Sequence, residues 1–251
     1  MTNHDDVDPA GAERAYAQIR AAIVEGRYER GQRLVEQRIA AEYSLSRTPV
    51  REALRRLDAE GLVIIEKHRG AIVRPMATTE VLDLYGLRIQ LESYAAGLAA
   101  ERITAPELGE LRRAVERFGD VQHRLARAGT AADVESGIEA GIEAGTEAGM
   151  EAGVDDARRL NAANRPVHDR IVAAAHHHRL TTMLARTVDI PLVFSAFRAF
   201  DRSQRERSDI FHHLILEAIG ARDATRATAL MAEHIRQGRD VVLAHLEVAG
   251  A

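Results

Sequence analysis

Arg47, Arg51 and Arg55 recur one helical turn apart, with Thr48 beside the first, and this row carries the clearest chemistry in the chain. A helix beginning around Ser46 to Thr48 and stopped by Gly61 sets Val50, Ala53, Leu54 and Leu57 on one face and the arginines on the opposite one. Guanidinium groups on an exposed helix can pair with phosphates or present a planar fork to a guanine edge in the major groove, supplying both affinity and choice of sequence. Arg38, on the preceding predicted helix, is placed to reach the DNA backbone. His68, Arg69 and Gly70 form the tip of a predicted hairpin suited to the minor groove or its phosphates.

The elements that must position these groups are legible in order. Ala15, Ile19, Ala22 and Ile23 recur at helical spacing, and Gly26 marks that helix's end. Gly31 to Leu34 reads as a turn, and Val35, Ile39, Ala40 and Tyr43 give a short second helix one apolar side. In the third helix the hydroxyls of Ser46 and Thr48 can cap free amides, and Pro49 suits a first turn, where its missing donor is not needed. Leu62-Val-Ile-Ile65, a turn at 68–70 and Ala71-Ile-Val73 then predict a β-hairpin. Three helices followed by a hairpin make a winged helix-turn-helix over 12–75, preceded by a disordered tail at 1–11.

Composition agrees once it is divided along the chain. The 251 residues carry a net charge of −4, which hides an uneven distribution. Residues 14–74 hold 13 Lys and Arg against 8 Asp and Glu, whereas 129–157 hold 8 acidic residues and no basic one. Positive charge therefore gathers at the predicted DNA motif. The absence of Cys excludes disulfides, zinc ribbons and thiol nucleophiles. The polar, acidic start resembles no signal or transit peptide, and no apolar run approaches the ~20 residues of a membrane span, so the expectation is a cytoplasmic protein with no membrane partner.

From Thr78 onward the pattern is helical, with segments at about 78–101, 105–128, 157–175, 178–189, 191–203, 206–220 and 223–247. The fold class is mainly α: the winged head, then an all-α bundle over 78–247. An acidic, low-complexity insert at 129–157 repeats Gly-Ile-Glu-Ala or close variants, and is expected to be a mobile loop because each interior Gly costs about 1 kcal/mol of helix stability.

Two stretches carry a family resemblance. Leu34-Val-Glu-Gln-Arg-Ile-Ala, followed by Ser46-Arg-Thr-Pro-Val-Arg-Glu-Ala-Leu-Arg-Arg-Leu-Asp-Ala-Glu-Gly-Leu-Val, closely resembles the N-terminal domain of GntR-family regulators. The resemblance implies that Arg38, Arg47, Thr48 and Arg51 contact operator DNA, with Arg69 and Gly70 at the wing, and that the protein is a homodimer. The bundle resembles the FCD ligand-binding domain of the FadR branch, through Leu87-Arg-Ile-Gln-Leu-Glu, Leu160-Asn-Ala-Ala-Asn-Arg-Pro-Val-His168, His212-His-Leu-Ile-Leu-Glu-Ala-Ile and Met231-Ala-Glu-His-Ile. That resemblance implies a divalent metal held by Asn164, His168, His212 and His234, zinc first, with nickel, iron or manganese as alternatives. Asn164 stands where many relatives carry Asp, and a neutral amide oxygen is the weaker ligand. The same four residues also fit hydrogen-bonded polar positions in a core.

A metal with open positions attracts a small carboxylate effector, and Arg88 can pair with such a ligand or with Glu92 one turn along its own helix. His176-His177-His178 reads as a polar connection between helices, and His213 as a surface neighbour of the His212 position. The function expected is a ligand-responsive repressor or activator of transcription, not an enzyme. The alternatives are a metal-dependent enzyme acting on a small carboxylate and an architectural DNA binder without an effector. No His-Glu-x-x-His and no Gly-rich phosphate loop supports the enzyme.

Overall fold

A computed structural model describes residues 9–66, 70–75, 77–135, 147–187 and 199–249. The chain divides into two compact units, Met1–Ala77 and Thr78–Ala251.

In the first unit α1 spans Pro9–Val24, β1 Arg33–Leu34, α2 Glu36–Glu42, α3 Arg47–Ala59, β2 Val63–Glu66 and β3 Gly70–Val73. The expected two-stranded wing is a three-stranded antiparallel sheet in the order β1-β3-β2. Its extra strand is the stretch read as a turn, because Leu34 lies opposite Ala71 and Arg33 opposite Ile72. Two residues give no periodic signal, so only the partner strand reveals them. Gly31 and Gly61 hold positive φ at the turns before β1 and after α3. Ser46 occupies the N-cap of α3 in extended backbone but makes no side-chain cap bond, contrary to the expected hydroxyl cap.

The expected stripe of α3 is its buried face: Val50, Ala53, Leu54 and Leu57 pack with Ile19 of α1, Ile39 of α2 and Val63 and Val73 of the sheet. Removing the fully buried Leu57 side chain would cost about 2–5 kcal/mol. This packing fixes α3 by one face and turns the other outward.

The second unit is helical throughout its described residues: α4 Thr78–Arg102, α5 Ala105–Glu135, α6 Glu147–Ala174, α7 His178–Thr187, α8 Arg202–Gly220 and α9 Ala224–Ala249. Helix α4 is buried over Ala95, Ala96, Gly97, Ala99 and Ala100, small residues that let a neighbouring helix close in. Gly97 is the tightest case, because a Cβ there would meet Thr228 Oγ1 of α9 at 2.5 Å.

Two expectations need correction. The loop expected over 129–157 is helical at both flanks, as the end of α5 and the start of α6, because the Ala and Glu of each repeat favour helix enough to offset the glycines. Residues 136–146 of it lie outside the described residues. The break expected between 203 and 206 falls earlier, at Asp201. There Asp201 and Gln204 form a reciprocal capping box that starts α8. Of the helix expected at 191–203, residues 191–198 lie outside the described residues.

Candidate functional site

Two constellations emerge, one on each unit. On the head, Arg47, Arg51 and Arg55 line the outward face of α3, exposed, with Thr48 half-buried between them. Arg38 is exposed on α2. A surface groove of about 610 Å³ runs along this face, lined by Glu36, Arg47, Arg51, Arg55, Ile65 and Gly70 among others. Arg69 and His68 lie outside the described residues. Gly70 opens β3 at φ 86°, and a Cβ there would stand 2.9 Å from the Leu34 carbonyl oxygen. That close approach requires glycine whatever else the wing does.

Sequence reasoning missed Glu36 in the first turn of α2. Its carboxylate accepts two hydrogen bonds from Arg51, Nε and Nη2 each at 3.0 Å, and one from Arg47 Nη2 at 3.2 Å. Hydrogen bonding from Arg51, and then from Arg47, holds the Glu36 carboxyl below the usual carboxylate range. No periodicity could have found the contact, because the partners are 11 and 15 residues apart on different helices.

Within the bundle, His168 of α6, His212 of α8 and His234 of α9 converge, their ligand nitrogens all within 4.8 Å of one another. His212 is fully buried and His234 nearly so, and Phe118 of α5 stands edge-on to the His212 ring at 4.5 Å between centroids. Neither ring nitrogen of His212 has a hydrogen-bond partner, nor does Nδ1 of His234. Burial, reinforced by the neighbouring imidazoles, holds the pKa of His212 well below the ordinary histidine value. For His234, burial is again the main cause, and the value falls to about 3. Both rings are therefore neutral near pH 7, the state in which imidazole ligates metal.

Asn164 lies one turn before His168 on α6, buried, its Oδ1 also unpaired. Pro166 sits between them inside the helix and removes the amide that would bond Ala162. Buried polar atoms left without partners are costly, and the two nitrogens of His212, Nδ1 of His234 and Oδ1 of Asn164 are such atoms.

Glu92 of α4, read from the sequence only as a partner for Arg88, also reaches His168. One oxygen accepts from Arg88 Nε at 2.8 Å and the other lies 2.7 Å from His168 Nδ1. Burial alone would raise the Glu92 pKa, but the charges of Arg88 and His168 outweigh it and bring the value to about 2. A carboxylate on Nδ1 fixes the ring's orientation and directs Nε2 at the cluster, where it lies 3.3 Å from His234 Nε2. Arg88 is thus buried and paired with Glu92 at i,i+4, the intrahelical arrangement the sequence allowed.

Two other histidines among the described residues lie outside the cluster of three. His213 is exposed, 3.9 Å from Asp209, and His176 turns the chain between α6 and α7 at φ 47° while contacting Glu107 at 3.2 Å. No helix among the described residues is long and apolar enough to cross a membrane.

Comparison with known proteins finds a family match for each of the two units. Residues 11–73 match the bacterial regulatory proteins of the gntR family, and residues 83–237 match the FCD domain. The Nta operon transcriptional regulator of Aminobacter aminovorans is 42% identical over 82 residues, 33% of this chain and 39% of that protein. The gluconate operon transcriptional repressor of Bacillus subtilis is 40% identical over 77 residues, 31% of each. Such matches span less than half the length of the curated relatives concerned. The HTH-type transcriptional repressor GlaR of Escherichia coli is 24% identical over 230 residues, 88% of this chain and 90% of its own. The solved structure of E. coli McbR/YncC shares the fold, with a TM-score of 0.63 at 20% identity, covering 94% of this chain and 98% of that one. These families and relatives are transcriptional regulators rather than enzymes. With a gntR-type winged head over 11–73 and an FCD bundle over 83–237, the chain belongs to the GntR family of bacterial regulatory proteins.

Proposed function

We propose that the chain is a cytoplasmic transcriptional regulator that binds operator DNA as a homodimer and responds to a small carboxylate bound beside a divalent metal in the bundle. The observation that carries the DNA reading is the outward basic face of α3, held by its apolar face to the head's core. Arg47, Thr48 and Arg51 would meet base edges and phosphates, and Arg38 the backbone. Arg69 and Gly70 would form the wing contact. A dimer would match the two half-sites of an operator.

The metal reading rests on the unpaired buried nitrogens. His168, through the nitrogen that Glu92 leaves to the cluster, would hold the ion with His212 and His234, and the Asn164 amide oxygen would complete the set. Bound there, a divalent ion, zinc first or else nickel, iron or manganese, supplies a Lewis-acidic point for a carboxylate oxygen. Glu92 keeps His168 in the ligating orientation, and Phe118 excludes water from the His212 side. Arg88 could serve an incoming carboxylate only by sharing its guanidinium with Glu92.

Selection of duplexes from a random pool tests the DNA reading: one enriched, inverted-repeat sequence is expected, and its loss in Arg51→Ala. Elemental analysis of untagged protein purified without chelator tests the metal: about one ion per chain, falling sharply in His212→Ala and His234→Ala. Absence of metal even after soaking would return the histidines to a polar core.

A further inference from the structure

We infer that Glu36 is a positioning residue that sets how strictly the head discriminates between DNA sequences, an inference that rests on the DNA-binding reading above. Its one carboxylate joins the two helices of the motif, reaching from the first turn of α2 to two arginines one turn apart on α3. The carboxylate is the more buried partner, 21% exposed against 63% for Arg47 and 48% for Arg51. The acid thus braces the side chains that project beyond it.

Two consequences follow from the geometry. Glu36 engages the Nε–Nη2 edge of Arg51 and so fixes the plane of a guanidinium whose fork suits guanine O6 and N7. Long side chains fixed before DNA arrives lose less freedom on binding. The negative charge also offsets part of the attraction of two arginines for phosphate, the component of binding that carries no sequence information. Bracing strengthens the matched contact and charge compensation weakens the unmatched one. Both raise the ratio of specific to non-specific affinity.

The test uses the full chain, a duplex enriched by the wild type from a random pool, and a shuffled duplex of the same composition, each titrated with salt. In Glu36→Gln, non-specific binding should tighten several-fold and the ratio of affinities should fall about tenfold. The slope of log affinity against log salt should steepen by about one, as for one further phosphate neutralised. Glu36→Asp keeps the charge but retracts it by one methylene, and should keep the wild-type slope while losing part of the ratio. In an Arg51→Lys background, Glu36→Gln should still steepen the slope but lower the ratio by less than it does in the wild-type background, because only the bracing component is already absent. Thermal midpoints of all variants identify any loss due to unfolding, which lowers both affinities together and leaves the slope unchanged.

A ratio in Glu36→Gln within twofold of wild type with an unchanged slope, or both affinities falling in step at an unchanged thermal midpoint, would overturn the inference. If the wild type enriches no sequence, the DNA reading itself fails and this inference with it. If it enriches one that Glu36→Gln discriminates equally well, only the role of Glu36 is lost.

Discussion

The two units repeat one device in opposite environments. On the head, Glu36 gathers two arginines at the surface; in the bundle, Glu92 gathers an arginine and a histidine in the interior. The surface side chains keep a fifth to two thirds of the exposure that the interior ones have almost wholly lost, with Arg88 at 7% and Glu92 at 4%. Water and salt compete with the surface group, so a phosphate or base can take its place beside the arginines. In the interior nothing competes, and the pair is committed unless a ligand brings equal compensation. One carboxylate therefore supports exchange and the other supports permanence.

The largest expected effect breaks the interior pair. Glu92→Gln leaves Arg88 charged, buried and under-compensated, and should lower unfolding free energy by about 3–5 kcal/mol in chemical denaturation. Exchanging Arg88 and Glu92 together for apolar residues of similar volume should restore most of that loss, because the cost lies in the unpaired charge. A Glu92→Gln variant as stable as wild type would sink the contrast. Next in size is stabilisation by metal: a divalent ion at a thousandfold excess over its Kd should add about 4 kcal/mol, read as a raised thermal midpoint. His212→Ala should abolish that shift without touching the affinity of the head for DNA.

Smaller effects belong to the surface. Arg51→Ala should weaken binding to the enriched duplex by about 1–3 kcal/mol while leaving the thermal midpoint nearly unchanged. Smallest is the contribution of the Glu36 pairs to folding itself, about 0.2–1 kcal/mol. Since Arg51 and then Arg47 lower the Glu36 pKa on folding, this contribution is present in full above the ordinary value of 4.5. It fades as the pH falls through the lower folded value. Denaturation curves of wild type and Glu36→Gln should therefore converge in acid.

Local pattern and residue type made most of the fold legible. The buried stripe of α3 and the glycines at 26, 31 and 61 are visible without any partner, because each is a statement about one element. Strand β1 was not visible, since two residues acquire a strand's identity only from Ala71 and Ile72 across the sheet. The capping box at Asp201 was present in the sequence as Asp-x-x-Gln and was overlooked for a break a few residues later. For the sites, residue type pointed to Arg47 and Arg51, and resemblance pointed to His168, His212 and His234, which the fold does bring together. The carboxylates that orient them were not legible as such. Glu92 appeared only as the i,i+4 neighbour of Arg88, and its bond to His168 spans 76 residues.

The short strand β1 has a mechanical consequence. It is tied to β3 by antiparallel pairing, reinforced where Val73 donates to the Gln32 carbonyl and Gly31 to that of Val73. The backbone leaves the head through β3, Arg74 and Pro75, and β1 ends two residues before Glu36. Tension applied to the departing chain would load these bonds in shear, together with the pairing of β3 to β2 and the bond from the Arg74 amide to the Leu62 carbonyl. A strand of two residues thus ties the departing chain to the turn that leads into Glu36.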